Sequence, residues 1–134
     1  MTRIQTARFL ICLVASAVTA GGFAAAKDEA WQKYSEQANG DVYFYDTSRL
    51  KSTSDVHTVW MRIRYKRNVM AAASYQSLLE VDCSERTERT LQRTFFTDRH
   101  WEQPAMKTDM KPKKKRVIRK NSANERLADI LCAP

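Results

Sequence analysis

Two long segments of the chain alternate between apolar and polar side chains, and this period-two pattern constrains the fold more than any other feature of the sequence. The apolar positions of residues 56–67 are Val59, Met61, Ile63 and Tyr65. In residues 72–83 the same alternation places Cys83 on the apolar side together with Leu79 and Val81. Such a period is typical of strands that bury one face and leave the other in water. The two segments therefore predict a sheet with one packed face, on which Cys83 lies.

Shorter segments supply the remaining strands. Residues 30–38 and 41–46 are rich in β-forming aromatic residues, and the intervening Asn39-Gly40 dipeptide tolerates positive φ at both centres of a tight hairpin. Residues 86–97 form a further strand whose charged side chains interrupt the alternation, which indicates an edge or an exposed position. Residues 100–111 show no periodicity, so we expect a loop there.

The last element is a short amphipathic helix. Ser122 and Glu125 form the S-x-x-E pattern of a capping box, in which the two side chains satisfy free backbone N–H groups at the helix start. The apolar residues at helical spacing are Ala123, Leu127, Ile130 and Leu131. A helix this short is marginal alone, so we expect it to lie on the apolar face of the sheet. The sequence thus predicts an α+β fold, a mainly antiparallel sheet of about five to six strands with a C-terminal α-helix packed on one face.

The first 26 residues have the layout of a secretory signal peptide. Arg3 and Arg8 form a positive n-region, an apolar stretch follows over residues 9–20, and three alanines at 24–26 supply a cleavage site. An uncleaved anchor helix is the alternative, but a pair of glycines interrupts the apolar stretch. We therefore expect a signal peptide at 1–26, one domain at 27–134, no transmembrane helix after cleavage, and export to the periplasm or the outer cell surface. Loss of both arginines lowers the formal net charge from +8 to +6.

The cysteine count predicts one disulfide bond. Cleavage would remove Cys12 and leave Cys83 and Cys132 as an even pair in an exported chain. The bond would close a loop of about 50 residues and stabilise the fold by up to roughly 4 kcal/mol. Because Cys132 follows the helix and Cys83 lies on the apolar face, the bond would tie the helix to the sheet. Two unpaired thiols are the alternative, although the sequence has no C-x-x-C spacing.

Several short motifs follow one another in a particular order. Trp31 lies near the start of the predicted domain, and Arg86 and Arg89 follow the third motif. The three motifs are 43–48 (YFYDTS), 59–66 (VWMRIRYK) and 77–83 (SLLEVDC). With the terminal helix that ends on Cys132, this order and spacing resemble the surface-adhesin protein E family of bacteria over nearly the whole predicted domain.

The resemblance implies a fold, a location and a partner class. The implied fold is an antiparallel sheet with a C-terminal helix tied to one face by a disulfide, in a small exported protein. The family is associated with binding to host extracellular matrix, so the resemblance implies an adhesin-like role. The sequence departs from the family pattern between the two long strands, where residues 68–73 (NVMAAA) replace an expected Gly-rich loop.

A run of basic residues at 111–120 is the sharpest local feature. Its seven cationic residues are Lys111, Lys113, Lys114, Lys115, Arg116, Arg119 and Lys120. As a binding patch, this basic run would contact an extracellular-matrix protein, an acidic glycan or lipopolysaccharide, and would release counterions on contact. We expect no specific recognition of nucleic acid. The alternative is a solvated loop without a specific partner.

A second group of aromatic and cationic residues lies on the polar side of the first alternating segment. The group consists of Trp60, Arg62, Arg64 and Lys66. Such alternation is also found in platforms that bind glycans or nucleic acids. The interpretation we favour is cross-strand ion pairing with Glu80 and Asp82 on the neighbouring strand. The sequence does not decide whether Trp101 covers the core or is an exposed anchor.

The sequence carries no pattern that indicates catalysis. His57 and His100 lie on different elements, and no third ligand stands at a known metal spacing. The sequence has no nucleophile elbow, no zinc-binding helix motif and no Gly-rich phosphate loop. We therefore expect a non-enzymatic protein without metal or cofactor, which binds anionic or matrix partners through the basic run. The alternative is a structural protein of the periplasm or cell envelope.

Overall fold

The computed structural model of the protein describes residues 30–134. Its elements are β1 (Trp31–Glu36), β2 (Val42–Asp46), β3 (Lys51–Thr53), β4 (Val56–Val69), β5 (Ala72–Asp82), β6 (Thr87–Phe96), β7 (Arg116–Val117) and α1 (Ala123–Leu131). All strands pair antiparallel in the order β1-β2-β4-β5-β6-β7, and β3 pairs with the start of β4. The expected α+β class is confirmed. The expected signal peptide and Cys12 lie outside the described residues.

The two alternating segments form the centre of the sheet as β4 and β5. Their register places Val59 opposite Leu79 and Ile63 opposite Tyr75, so the apolar positions of both strands share one face. Residues directly opposite each other in an antiparallel pair project to the same side, which is why the two patterns combine into one apolar wall. The predicted packed face is therefore confirmed. Within residues 30–134, no helix is long and apolar enough to cross a membrane.

The β1–β2 turn differs from the tight two-residue hairpin that the Asn39-Gly40 dipeptide predicts. Only Gly40 of this dipeptide has a positive φ, at 88°. Its N–H donates to the Gln37 carbonyl at 2.8 Å, and the Gln37 N–H donates to the Asp41 carbonyl at 3.0 Å. These bonds define a longer loop in which a regular turn is followed by one left-handed residue. A Cβ at this glycine would approach Lys66 Cγ to 3.0 Å, so close packing also favours glycine.

The β4–β5 turn is tight although it contains no glycine. Val69 pairs with Ala72, so only Met70 and Ala71 connect the strands. Both connecting residues have positive φ, 48° and 68°. Asn and Gly are the usual residues in such a turn, because a Cβ clashes with the backbone in the left-handed region. The Met70 side chain is 98% exposed. The replacement of the Gly-rich loop at 68–73 therefore leaves two strained residues at the tip of the central hairpin.

The outer edge of β6 is covered by the chain that follows it. β7 pairs with the start of β6, and isolated bridges join Arg93 to Asp109 and Phe96 to Pro104. The Lys113 N–H also donates to the Thr90 carbonyl at 2.8 Å. The sequence predicts an edge or an exposed position for β6. The structure places β6 near the side of the sheet, but the chain that follows pairs with its outer edge. Residues 100–111 contain no helix or strand, in agreement with the predicted loop.

The helix begins at the predicted cap. The Ser122 hydroxyl accepts a hydrogen bond from the Glu125 N–H at 3.1 Å, and the Glu125 carboxylate accepts one from the Asn121 N–H at 2.7 Å. The buried side of α1 consists of Ala123, Leu127, Ala128 and Leu131. Ile130, which the sequence assigns to this stripe, is exposed. At about 100° per residue it lies just outside the buried arc, and Ala128 takes its place.

The core lies between α1 and the apolar wall of the sheet. Its buried members are Val59, Met61, Leu79, Val81, Ile118, Leu127, Ala128 and Leu131. Cys83 at the end of β5 and Cys132 at the end of α1 form a disulfide with a Cα–Cα distance of 5.6 Å. The predicted pairing, and its role in tying the helix to the sheet, are confirmed.

Replacing Cys83 and Cys132 together by serine should lower the free energy of unfolding by up to roughly 4 kcal/mol, because the unfolded chain regains the conformations that the loop excludes. Guanidinium denaturation of the oxidised protein and the double variant measures this difference. A reducing agent should destabilise the natural sequence and leave the variant unchanged. Equal midpoints for both proteins would contradict the prediction.

Replacing Met70 by Asn and Ala71 by Gly should raise the free energy of unfolding by about 1 kcal/mol, because these residues occupy the left-handed region at low cost. Urea denaturation checks the shift. The matched control is Ala38→Gly, at an exposed turn residue without positive φ. This change should cost about 0.5 kcal/mol by adding freedom to the unfolded chain. A lower stability of the double variant would show that the turn is not strained.

Candidate functional site

The sheet face opposite α1 carries a set of stacked arginine and aromatic side chains, which we call the arginine–aromatic face. Its members are Trp31, Phe44, Arg49, Trp60, Arg62, Arg64 and Trp101. The parity of β4 brings its tryptophan and two arginines to this side, because Val59 and Met61 occupy the other. All three tryptophans of the sequence lie here.

Arg62 lies between two indole rings at the centre of this face. Its guanidinium carbon is 4.0 Å from the Trp31 ring centroid and 4.7 Å from the Trp101 ring centroid. Its Nε donates to the Gln76 side-chain oxygen at 2.7 Å. Stacking on two rings and a directional hydrogen bond together fix the plane of the guanidinium.

Arg64 lies next to it in a similar aromatic setting. Its guanidinium carbon is 5.3 Å from the Phe44 centroid and 5.1 Å from the Trp101 centroid. Among residues 30–134, its buried Nε has no hydrogen-bond partner and its guanidinium forms no ion pair. Arg64 thus retains hydrogen-bonding capacity that the described chain does not use.

Arg49 extends the stacking toward Trp60. Its guanidinium carbon lies 5.2 Å from the Trp60 centroid and 5.7 Å from that of Trp31. It also forms an ion pair with Asp46, which is 2% exposed. Burial raises the pKa of this carboxyl, but hydrogen bonds from Ser48 and Arg49 outweigh burial, and the net shift is downward. The carboxylate is therefore ionised and fixes the position of Arg49.

The expected ion pairing of this face with Glu80 and Asp82 is wrong. In the β4–β5 register, Glu80 lies opposite Thr58, whereas Arg62 lies opposite Gln76. Glu80 instead accepts two hydrogen bonds from Arg89 at 2.8 and 3.1 Å, which raise the pKa of the Arg89 guanidinium. The arginines of the face stack on aromatic rings, and Arg89 rather than this face engages Glu80.

Trp101 covers the polar side of the sheet, so it is not a cover over the core. Its indole N–H donates to the Tyr75 carbonyl at 3.1 Å, and the ring is half-buried. The loop that carries it is held by Asp98, whose carboxylate accepts hydrogen bonds from the backbone N–H groups of His100, Glu102 and Gln103. Burial raises the pKa of Asp98, but these bonds outweigh it and the net shift is downward. A charged Asp98 thus positions the indole.

Two adjoining cavities flank Arg62 on this face. The first has a volume of about 320 Å³, and Arg64, Phe44, Trp31 and Trp101 line it; we call it the Arg64 cavity. The second, of about 590 Å³, opens toward Arg49 and Gln76. His100 and Glu102, both exposed, lie at the rim of each. Aromatic walls with a few charged groups are common in sites for small polar ligands.

The basic run lies elsewhere, at the outer edge of β6, and three of its cations are paired within the protein. Lys113 binds Asp109 at 2.8 Å, and Arg116 binds Glu88 at 2.9 Å. Lys115 lies 3.6 Å from a carboxylate oxygen of Asp82 and of Glu85. The hydrogen bond from Lys113, assisted by the Lys111 N–H, lowers the pKa of Asp109 to about 2. These carboxylates offset part of the positive charge of the run.

The other four cations of the basic run are exposed, and none forms an ion pair with residues 30–134. They are Lys111, Lys114, Arg119 and Lys120. The backbone between them is anchored on both sides, because Ile118 is buried in the core and Lys113 bonds to β6. The run is therefore neither a free loop nor a uniformly available patch.

Three further observations concern a cavity beside α1, the histidines and possible metal ligands. A third cavity, of about 460 Å³, lies beside α1 among Tyr43, Tyr65 and Tyr75. Burial raises the pKa of Tyr65 to about 12, so the phenol stays protonated. His57 contacts the Ser52 hydroxyl at 2.7 Å, whereas His100 lines the two cavities of the arginine–aromatic face. Residues 30–134 contain no group of three or more His, Cys, Asp or Glu side chains placed to hold a metal ion.

These features define a small, disulfide-linked α+β protein with exposed cations on a sheet edge and arginines stacked on aromatic rings on one sheet face. The family model described as surface-adhesin protein E matches residues 31–133. The chain belongs to the surface-adhesin protein E family, as the order of its motifs indicates.

Solved structures of Haemophilus influenzae protein E share the fold. One crystal form superimposes with a TM-score of 0.62 at 11% identity and covers 78% of this chain and 88% of that chain. Protein E from non-typeable Haemophilus influenzae gives a TM-score of 0.58 at 11% identity, with coverage of 78% and 76%. No curated protein matches the sequence. Identity this low relates the folds and carries no information about shared ligands.

Proposed function

We propose that the chain is an exported, non-enzymatic binding protein that contacts an anionic polysaccharide, such as an acidic matrix glycan or lipopolysaccharide, at the cell surface. Membership of a surface-adhesin family supports the adhesin-like role. The observation that carries the anionic partner is the set of four exposed cations in the basic run that no described carboxylate neutralises.

The remaining cations of the basic run support this role indirectly. Lys113, Lys115 and Arg116 hold the segment to acidic residues of β5, β6 and their loops, so the partner does not have to order a mobile chain. A preorganised backbone reduces the entropy lost on binding. The exposed cations supply long-range attraction and counterion release, which act on any dense polyanion.

The triple variant Lys111→Gln, Lys114→Gln, Lys120→Gln should bind heparin more weakly and with a shallower salt dependence. Each lost contact to a polyanion lowers the magnitude of the slope of log affinity against log salt by roughly 0.7 to 0.9, so the loss of three contacts should lower it by about two to three. Retention on immobilised heparin across a sodium chloride series measures it, and lipopolysaccharide is tested in parallel.

The matched control is Lys51→Gln, Lys66→Gln, Arg67→Gln, which removes the same charge from exposed positions on β3 and β4. These strands lie on the far side of the sheet order from β7. The control should retain most of the slope. If both triple variants lose the same amount, binding depends on net charge alone and the basic run is not the site.

Export of the domain at 27–134 after removal of the segment at 1–26 is the second part of the proposal. Labelling of intact cells with a membrane-impermeant amine reagent should modify the protein, and mass spectrometry of the mature chain should find its N-terminus near Lys27. Modification only after permeabilisation would favour the alternative, a structural protein of the periplasm. A chain beginning at Met1 would contradict cleavage.

A further inference from the structure

The Arg64 cavity has an unsatisfied cationic group on its wall. Arg64 forms no ion pair among residues 30–134, and its buried Nε lacks a hydrogen-bond acceptor there. A charged donor gains most from an ionised acceptor, and because the Nε is closed off from solvent, the terminal N–H groups of the guanidinium are the ones that such an acceptor would reach. Because Phe44 and Trp101 flank the guanidinium at 5.3 and 5.1 Å, its orientation is fixed before any ligand arrives.

The walls of the cavity are suited to a ring with apolar C–H groups. Trp31, Phe44 and Trp101 present aromatic surface, and the volume of about 320 Å³ is at the small end of the range for ligand sites. A bare inorganic anion would contact Arg64 and leave the aromatic walls unused. A ligand that carries both an anionic group and a hydroxyl-bearing ring would use both features of the cavity.

We propose that the Arg64 cavity binds a single carboxylate-bearing sugar unit, a uronic-acid type pyranose. Its carboxylate would accept the two parallel N–H bonds that a guanidinium offers, and its C–H face would pack against the indole of Trp31 or Trp101. This site differs from the basic run, which lies at the β6 edge, whereas the cavity lies over β1, β2 and β4.

Glu102 at the rim sets the selectivity of the cavity. Its exposed carboxylate can accept hydrogen bonds from sugar hydroxyl groups, but it repels further negative charge. A ligand with one carboxylate and several hydroxyl groups satisfies both conditions. Sulfate and other small dianions gain no hydroxyl contact, and Glu102 offsets part of the attraction that Arg62 and Arg64 exert on them. The cavity should therefore prefer a monoanionic sugar to an inorganic anion.

The tryptophans provide a direct test. Trp31 and Trp101 line the cavity, whereas Trp60 does not, so the three indole N–H signals of the ¹⁵N-labelled protein contain an internal reference. Titration with sodium D-glucuronate should shift the signals of Trp31 and Trp101 with saturation and leave that of Trp60 in place. No saturable shift of either cavity signal would overturn the proposal.

Two parallel titrations separate the contributions of charge and ring. Methyl glucoside keeps the ring without the carboxylate, and sodium sulfate keeps negative charge without the ring. Glucuronate should bind about tenfold more tightly than either, because only it uses Arg64 and the indoles together. Binding of methyl glucoside within about twofold of glucuronate would remove the role of Arg64. Equal binding of sulfate would reduce the cavity to a plain anion site.

Three variants complete the test in the full domain. Arg64→Gln should weaken glucuronate binding by about tenfold or more, through loss of a charge-assisted pair. Glu102→Gln, at an exposed position that should not disturb folding, should strengthen it severalfold. The basic-run variant Lys111→Gln, Lys114→Gln, Lys120→Gln should bind glucuronate unchanged, so failure on heparin and failure here are distinguishable. The same variant should strengthen sulfate binding more than glucuronate binding, and a smaller gain for sulfate would contradict the assigned selectivity.

Discussion

The disulfide between Cys83 and Cys132 holds α1 over one face of the sheet, and the arrangement of the other face follows from it. A domain of this size has one modest core, and here α1 and the apolar wall of β4 and β5 supply all of its buried members except Ile118. No second layer of helix or sheet covers the opposite face among residues 30–134. Side chains alone must therefore shield the central strands there, and they must do so while remaining hydrated.

Arginine and tryptophan can meet both demands at once. An indole covers a large area of backbone, and a guanidinium can stack on it and still offer its N–H groups to water or a ligand. Each such contact contributes about 0.5–1 kcal/mol at exposed sites. Arg62 between Trp31 and Trp101 has this geometry, and a lysine could not reproduce it because an ammonium is not planar. Arg64, one of the arginines that shield the face, is consequently also the group proposed to bind a carboxylate.

The sequence predicts the parts of this structure that depend on hydrophobic periodicity and on contacts between residues close in sequence. Alternation assigns the faces of β4 and β5, and the capping box places the start of α1 at Ser122. Alternation does not determine which residues of neighbouring strands lie opposite each other, and for that reason the expected pairing of the arginines with Glu80 is wrong. Trp101 has no periodic signal, since its position depends on a loop shaped by Asp98. The two-residue β7 and the three-residue β3 are too short for any pattern.

The basic run shows why charge in a sequence does not measure charge available for binding. An unpaired strand edge invites association with other chains, and charged residues along it are a common protection. Here the run itself occupies that edge, and acids of the neighbouring strands hold it there. Glu88, 4% exposed, is paired with Arg116, so removing the arginine would leave a buried carboxylate without its ion-pair partner. The cations of the run that pair with these acids thus hold the edge of the sheet in place. Only the exposed cations without an ion-pair partner among residues 30–134 remain available to bind another molecule. A search for adhesin surfaces in related chains should therefore count exposed, unpaired cations rather than the length of a basic segment.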